Sequence, residues 1–142
     1  MFIHFTKMLL LSSVLFFAAY TAKSQDDSKS TTENVFVVVE QMPQFMGGKE
    51  ALGKFLTDNL KYPKKAAKKG IEGTVYTQFV VDEKGKISEV KVLTGIGYGC
   101  DEEAVRVIQL MPIWEAGKQG GKPVAVRFNL PIKFKLAPEK KK

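Results

Sequence analysis

The stretch Val124-Ala125-Val126-Arg127-Phe128-Asn129-Leu130-Pro131-Ile132-Lys133-Phe134-Lys135-Leu136 carries the clearest pattern in this sequence. Val124, Val126, Phe128, Leu130, Ile132, Phe134 and Leu136 alternate with Ala125, Arg127, Asn129, Pro131, Lys133 and Lys135. A strict period of two describes a strand with one buried face and one wet face. Pro131 cannot donate a ladder hydrogen bond, so the strand belongs at a sheet edge or carries a bulge. An exposed edge offers unpaired N–H and C=O groups to another strand. Two readings of its polar side stand together. Arg127, Pro131, Lys133 and Lys135 guard the edge against aggregation, or they border a site that takes an extended peptide by strand addition.

Upstream, the pattern predicts what this strand packs with. Thr74 to Val81 reads as a strand with Val75, Phe79 and Val81 on one face. Asp82-Glu83-Lys84-Gly85-Lys86 is a turn, and Ile87 to Leu93 is the return strand of a β-hairpin. Leu52, Phe55, Leu56 and Leu60 recur at helical spacing, which predicts an amphipathic helix over 49–60. Pro63 suits the start of a short helix, and Gly70 suits the position past its end. Asp101, Glu102 and Glu103 open another helix at its electropositive end, with Ala104, Val107, Ile108 and Met111 on one face and Pro112 as its stop. Val35 to Val39 reads as a further strand, and Gly117 to Pro123 as a loop. The predicted architecture is α+β: a small antiparallel β-sheet with two main helices packed on one face. No internal repeat is present.

Composition narrows the chemistry. The chain has 142 residues, 44% of them apolar and 26% charged, which is a globular balance for one domain. A lone Cys excludes a disulfide framework and a Cys-based zinc site. Lys7 precedes an apolar run from Met8 to Ala19, too short to span a bilayer, and Ala22-Lys23-Ser24 offers a small-x-small cleavage site. Residues 1–24 therefore read as a secretory signal peptide, with an uncleaved anchor beginning at Phe2 as the rival reading. Either way the remainder is expected outside the cytoplasm. Removal of 1–24 lowers the formal charge from +7 to +5 and takes away His4, the only histidine. Ser-His-Asp, Cys-His and His-metal chemistry then fall away. No cofactor or metal is expected, and nucleic acid is an unsuitable partner for an exported chain, whose lysines at 61, 64, 65, 68 and 69 read as a solvated helix face. Residues 25–34 are a polar linker and 137–142 a basic tail.

The remaining motifs have structural readings. Gly95, Gly97 and Gly99 do not match the dinucleotide fingerprint, and they form a strand-to-helix connection. Neighbouring acids on a helix do not face each other, so Asp101, Glu102 and Glu103 are not a catalytic carboxylate pair. Cys100 is a semi-buried structural thiol. Trp114 is a packing anchor, and Tyr62-Pro63 combines a packing aromatic with a turn.

An ordered set of residues also resembles a known family. Tyr62-Pro63-x-x-Ala66, Gly70-Ile71-Glu72-Gly73-Thr74-Val75, Phe79-Val80-Val81-Asp82-x-x-Gly85-Lys86-Ile87, Val90-x-Val92, the Glu102-Glu103-Ala104 helix and Trp114 before a Gly-rich loop are similar to the C-terminal domain of TonB-family energy transducers. Phe128-Asn129-Leu130-Pro131-Ile132 resembles the closing strand of its Bacteroidota variants, and Glu40-x-Met42-Pro43-x-Phe45-x-Gly47-Gly48 the segment before the domain. The resemblance covers residues 35–136. It implies a non-enzymatic periplasmic α+β domain that binds the TonB box of outer-membrane TonB-dependent transporters as an added strand, in energy-coupled uptake.

By the same resemblance, Val124, Ala125, Val126, Arg127, Phe128, Asn129 and Leu130 would hold the box, flanked by Tyr62 and Pro63. Inner-membrane motor proteins become partners if the N-terminal segment stays as an anchor. Full transducers carry a long Pro/Lys-rich spacer, whereas residues 25–34 reach only about 35 Å fully extended. The resemblance therefore reaches the box-binding module more firmly than the force-transducing role. The alternative is a stand-alone envelope adaptor that keeps the fold and pairs with itself, as a homodimer, through the edge strand.

Overall fold

A computed structural model describes residues 34–137 of the chain. The expected signal or anchor, nearly all of the linker and most of the basic tail lie outside the described residues. Eight elements follow in order: α1 (Gly48–Asn59), α2 (Lys64–Lys68), β1 (Gly73–Val81), β2 (Ile87–Thr94), α3 (Cys100–Gln109), β3 (Gly117–Gln119), β4 (Lys122–Val124) and β5 (Val126–Phe134). β2, β1 and β5 form an antiparallel sheet with β1 in the centre, and β3 pairs with β4 in a separate two-stranded ribbon. The core lies on one face of the sheet. There Val75, Phe79 and Val81 of β1 and Leu130, Ile132 and Phe134 of β5 meet Ala104, Val107 and Ile108 of α3 and Ala66 of α2. α1 packs on the same face through Ala51, Leu52, Phe55 and Leu56, which remain partly exposed. The α+β arrangement agrees with the sequence reading.

Local chemistry accounts for the turns. Asp82 Oδ1 accepts hydrogen bonds from the Lys84 and Lys86 N–H groups, both at 2.8 Å, and folds the chain between β1 and β2. Gly85 sits in that turn at φ +80°, and its carbonyl accepts the Trp114 N–H at 2.8 Å. A Cβ at this position would lie 1.8 Å from the Trp114 carbonyl oxygen, so only glycine fits. The Asp101 carboxylate accepts the Ile96 and Gly97 N–H groups and ties the glycine loop to the start of α3. The acids at this helix start thus do more than favour the helix dipole. Glu103 pairs with Arg106 and accepts the Lys61 N–H, joining α3 to the chain between α1 and α2.

Three expectations need correction. Val35 to Val39 is not a strand: only Phe36 makes a bridge, parallel, to Val126. The chain bends at Val37 and Val38, and Gln41 then pairs with Lys118 and Gln44 with Glu115. Those two bridges draw the segment away from the sheet, so its β-branched residues find no continuous partner. Gly117 to Pro123 is not a loop. It contains β3 and the start of β4 around Gly120 and Gly121, whose φ values of +57° and +74° suit a tight hairpin turn. The last strand is shorter than its alternation. Val124 ends β4, Ala125 interrupts, and β5 begins at Val126.

Candidate functional site

β5 lies at the edge of its sheet, as Pro131 requires, and pairs with β1 without a bulge. Backbone groups on a strand point alternately to its two sides. The Arg127 N–H donates outward to the Phe36 carbonyl at 2.7 Å, and the Phe36 N–H donates to the Ala125 carbonyl at 2.9 Å. By alternation, Asn129, Pro131 and Lys133 also turn their backbone groups outward, while Val126, Phe128, Leu130 and Ile132 face β1. The Leu130 carbonyl also accepts the Thr77 hydroxyl at 2.7 Å, on that inner side. Pro131 therefore falls where a missing donor costs the ladder nothing. The outward N–H groups of Asn129 and Lys133 have no protein partner among the described residues.

The residues expected at this site are distributed as follows. Arg127, Phe128, Asn129 and Leu130 lie on β5, with Arg127 and Asn129 on its open edge. Val126 starts β5 but directs its N–H toward β1. Val124 and Ala125 precede β5, and the Ala125 carbonyl is already used by Phe36. Tyr62 stands edge-on to Phe134 with ring centroids 5.8 Å apart, and its hydroxyl donates to the Ile71 carbonyl. It marks the far end of β5, and Pro63 beside it approaches Gly99. Burial pushes the Tyr62 hydroxyl above its ordinary pKa, so it remains a donor.

The side chains at the edge are polar on one face and apolar on the other. On the open face Arg127 reaches Gln78 at 3.4 Å and Glu89 at 3.2 Å, across all three strands. Asn129 accepts from the Gln78 amide at 2.9 Å, and Lys133 is exposed. On the helix face, Phe128 joins Phe45, Phe79 and Trp114 in an aromatic cluster with centroid separations of 5.3–5.7 Å. Trp114 is only 3% exposed, and its indole N–H has no acceptor among the described residues. Sequence reasoning identified Trp114 as an anchor but did not place it beside the edge. It also missed Phe36, whose only signal was its position in a β-prone run.

Cys100 is fully buried in the core, and burial, followed by Asp101 and Glu102, raises its thiol pKa. Glu103 is held below the usual carboxylate range, first by its hydrogen bonds to Arg106 and then by the Lys61 N–H. Among the described residues, no three His, Cys, Asp or Glu side chains cluster as metal ligands. No helix among them is long and apolar enough to cross a membrane.

Residues 58–136 match the family described as Gram-negative bacterial TonB protein C-terminal. The chain belongs to the TonB C-terminal family. The matched segment runs from the end of α1 through β5, so this family domain includes the whole three-stranded sheet. A relative, Protein TonB of Vibrio cholerae serotype O1 (strain ATCC 39315 / El Tor Inaba N16961), is 35% identical over 79 residues. That alignment covers 54% of this chain and 31% of the relative, so the chain spans about a third of that protein's length. Two NMR solution structures of the Helicobacter pylori TonB-CTD are each 22% identical to this chain. One has a TM-score of 0.46 and covers 62% of this chain and 79% of its own; the other has 0.47, with 63% and 95%.

Proposed function

We propose that this chain is a TonB-type binding module of the periplasm. The outer edge of β5 takes the TonB box of an outer-membrane TonB-dependent transporter as an added strand and so supports energy-coupled uptake. The reading includes an export signal or anchor over 1–24, a short linker over 25–34, the binding domain over 35–136 and a tail over 137–142. It assigns no enzymatic reaction to the domain. The observation that carries it is the Phe36 bridge: this edge already accepts a parallel segment through two backbone hydrogen bonds. Downstream of the bridge, the outward groups of Asn129 and Lys133 offer the same chemistry to a second chain. Backbone bonds supply affinity in this mode, while side-chain pockets supply selectivity.

Amide NMR titration of the purified protein with TonB-box peptides tests the reading. Shifts concentrated on Arg127 to Lys133 support it. The variant Asn129→Pro removes an outward donor and leaves the β1 ladder intact, so it should fold and bind about tenfold more weakly or worse. Val126→Pro would instead break the β1 ladder, because the Val126 N–H faces β1. Absence of shifts, combined with a molecular mass that doubles with concentration in size exclusion, moves the assignment to the self-pairing envelope adaptor.

A further inference from the structure

Lys61, Lys64, Lys65, Lys68 and Lys69 are all exposed, as a solvated face requires, yet the fold gathers them at one pole of the domain. Ala66 of α2 is fully buried, so Lys64 and Lys68, two positions to either side of it, turn away from the core. None of the five ammonium groups takes part in an ion pair among the described residues. The acids bonded to this pole are already engaged: Glu103 binds Arg106 and the Lys61 N–H, and Glu72 accepts the Leu136 N–H at 2.6 Å. Glu102, exposed at the start of α3, is a single charge against these lysines. The glycine loop adds an aromatic ring. Tyr98, at φ +56° and 45% exposed, has the Lys69 ammonium 5.5 Å from its ring centroid. The bond from Leu136 to Glu72 brings the end of the described chain to the same place. Lys140, Lys141 and Lys142 follow within five residues of Ala137, a reach of at most about 18 Å. This pole is the far end of β5 from the Phe36 bridge: Phe134 pairs with Gly73, while Val126 pairs with Val81 about 26 Å along the strand.

We propose that the α2 pole is an electrostatic docking surface for an anionic phospholipid bilayer. The inference is independent of strand addition at β5 and uses other residues. Residues 61–73 carry lysine and no arginine. A lysine ammonium is a hydrated point charge on a flexible stem, which suits mobile phosphodiester headgroups better than a fixed bidentate site does. Near an anionic leaflet each such charge adds its own attraction, so an unpaired cluster adds up where a single lysine would not hold. Tyr98 has an apolar body and a polar tip, the form of side chain that settles at headgroup level. The described chain enters at the opposite end of β5, so the pole can meet a surface while most of the sheet lies away from it.

The test uses the purified full chain with vesicles of phosphatidylcholine, alone or mixed with phosphatidylglycerol. Acetylation by an amine reagent, read residue by residue in a mass spectrometer, maps the contact and separates it from any binding through residues 1–24. Labelling of Lys64, Lys65, Lys68 and Lys69 should fall severalfold with the anionic vesicles only. Lys84 and Lys86, exposed in the turn between β1 and β2, should stay reactive. Protection should fade as salt is raised. Lys64→Gln, Lys65→Gln and Lys68→Gln change exposed side chains, and each should lower the anionic-over-neutral preference in vesicle sedimentation about fivefold. Lys84→Gln with Lys86→Gln should leave that preference unchanged. Equal protection at both ends of the sheet would mean attraction by net charge alone and would overturn the assignment. Labelling indifferent to phosphatidylglycerol would overturn it too. So would protection by soluble polyglutamate as strong as that by vesicles, which would make the partner an acidic polypeptide.

Discussion

Replacing Gly85 with alanine would set a methyl group 1.8 Å from the Trp114 carbonyl oxygen, at φ +80°. Both the strain and the lost Trp114–Gly85 hydrogen bond oppose folding, and Gly85→Ala should cost about 3 kcal/mol in denaturant unfolding. Glu103 gives a pH-dependent counterpart. Its folded pKa is depressed by Arg106 and the Lys61 N–H, so its stabilisation is present above the unfolded carboxylate pKa and is lost as pH falls through the folded one. With the guanidinium partly in water, Glu103→Gln should destabilise by about 1 kcal/mol at neutral pH. The difference from the parent should shrink below about pH 4 when melts are compared across pH. Neither role was fully legible in the sequence. The turn at Gly85 was, but its approach to Trp114 crosses a long chain separation. The acids at 101–103 signalled a helix start, while their separate partners at Gly97, Lys61 and Arg106 depend on how the loops close.

At the scale of elements, β5 has two unequal sides. Asn129→Pro should behave like the native Pro131, melting within a few degrees of the parent. Leu130→Pro removes a ladder donor to β1 and should cost about 3 kcal/mol or more, visible in thermal melts by circular dichroism. The alternation from Val126 to Phe134 made β5 legible, and Pro131 made its edge position legible. The valines at 37 and 38 misled because strand propensity does not create a partner: they remain 66% and 81% exposed. β3 and β4 escaped because three-residue strands have no measurable period, although Gly120-Gly121 was a valid turn signal. The apolar side of α1 was legible by spacing. What lay opposite it, Phe128 and Ile132 on the helix face of β5, was not.

Across the whole described domain, Trp114 is a common reporter. It is the only tryptophan in the chain and contacts aromatic rings from the segment before α1, from β1 and from β5. Its fluorescence and the far-UV circular dichroism should therefore follow one coincident unfolding transition. Separate transitions would show that the segment carrying Phe45 detaches before the sheet melts. The binary pattern and turn signals made the α+β layout readable as a whole. The candidate site was readable only as an edge, because the placement of α1 and Trp114 beside β5 depends on how the helix packs on the sheet.

The bridges at Phe36, Gln41 and Gln44 have a mechanical consequence. Tension applied to the chain ahead of Val35 would meet three clasps in series before it reached α1. At Phe36 the parallel alignment loads both hydrogen bonds together in shear. Slippage of that first clasp would uncover the Ala125 carbonyl and the Arg127 N–H, lengthening the free edge of β5 by one station. The same pull would thus lengthen the exposed edge of β5 before it disturbed the helix above it.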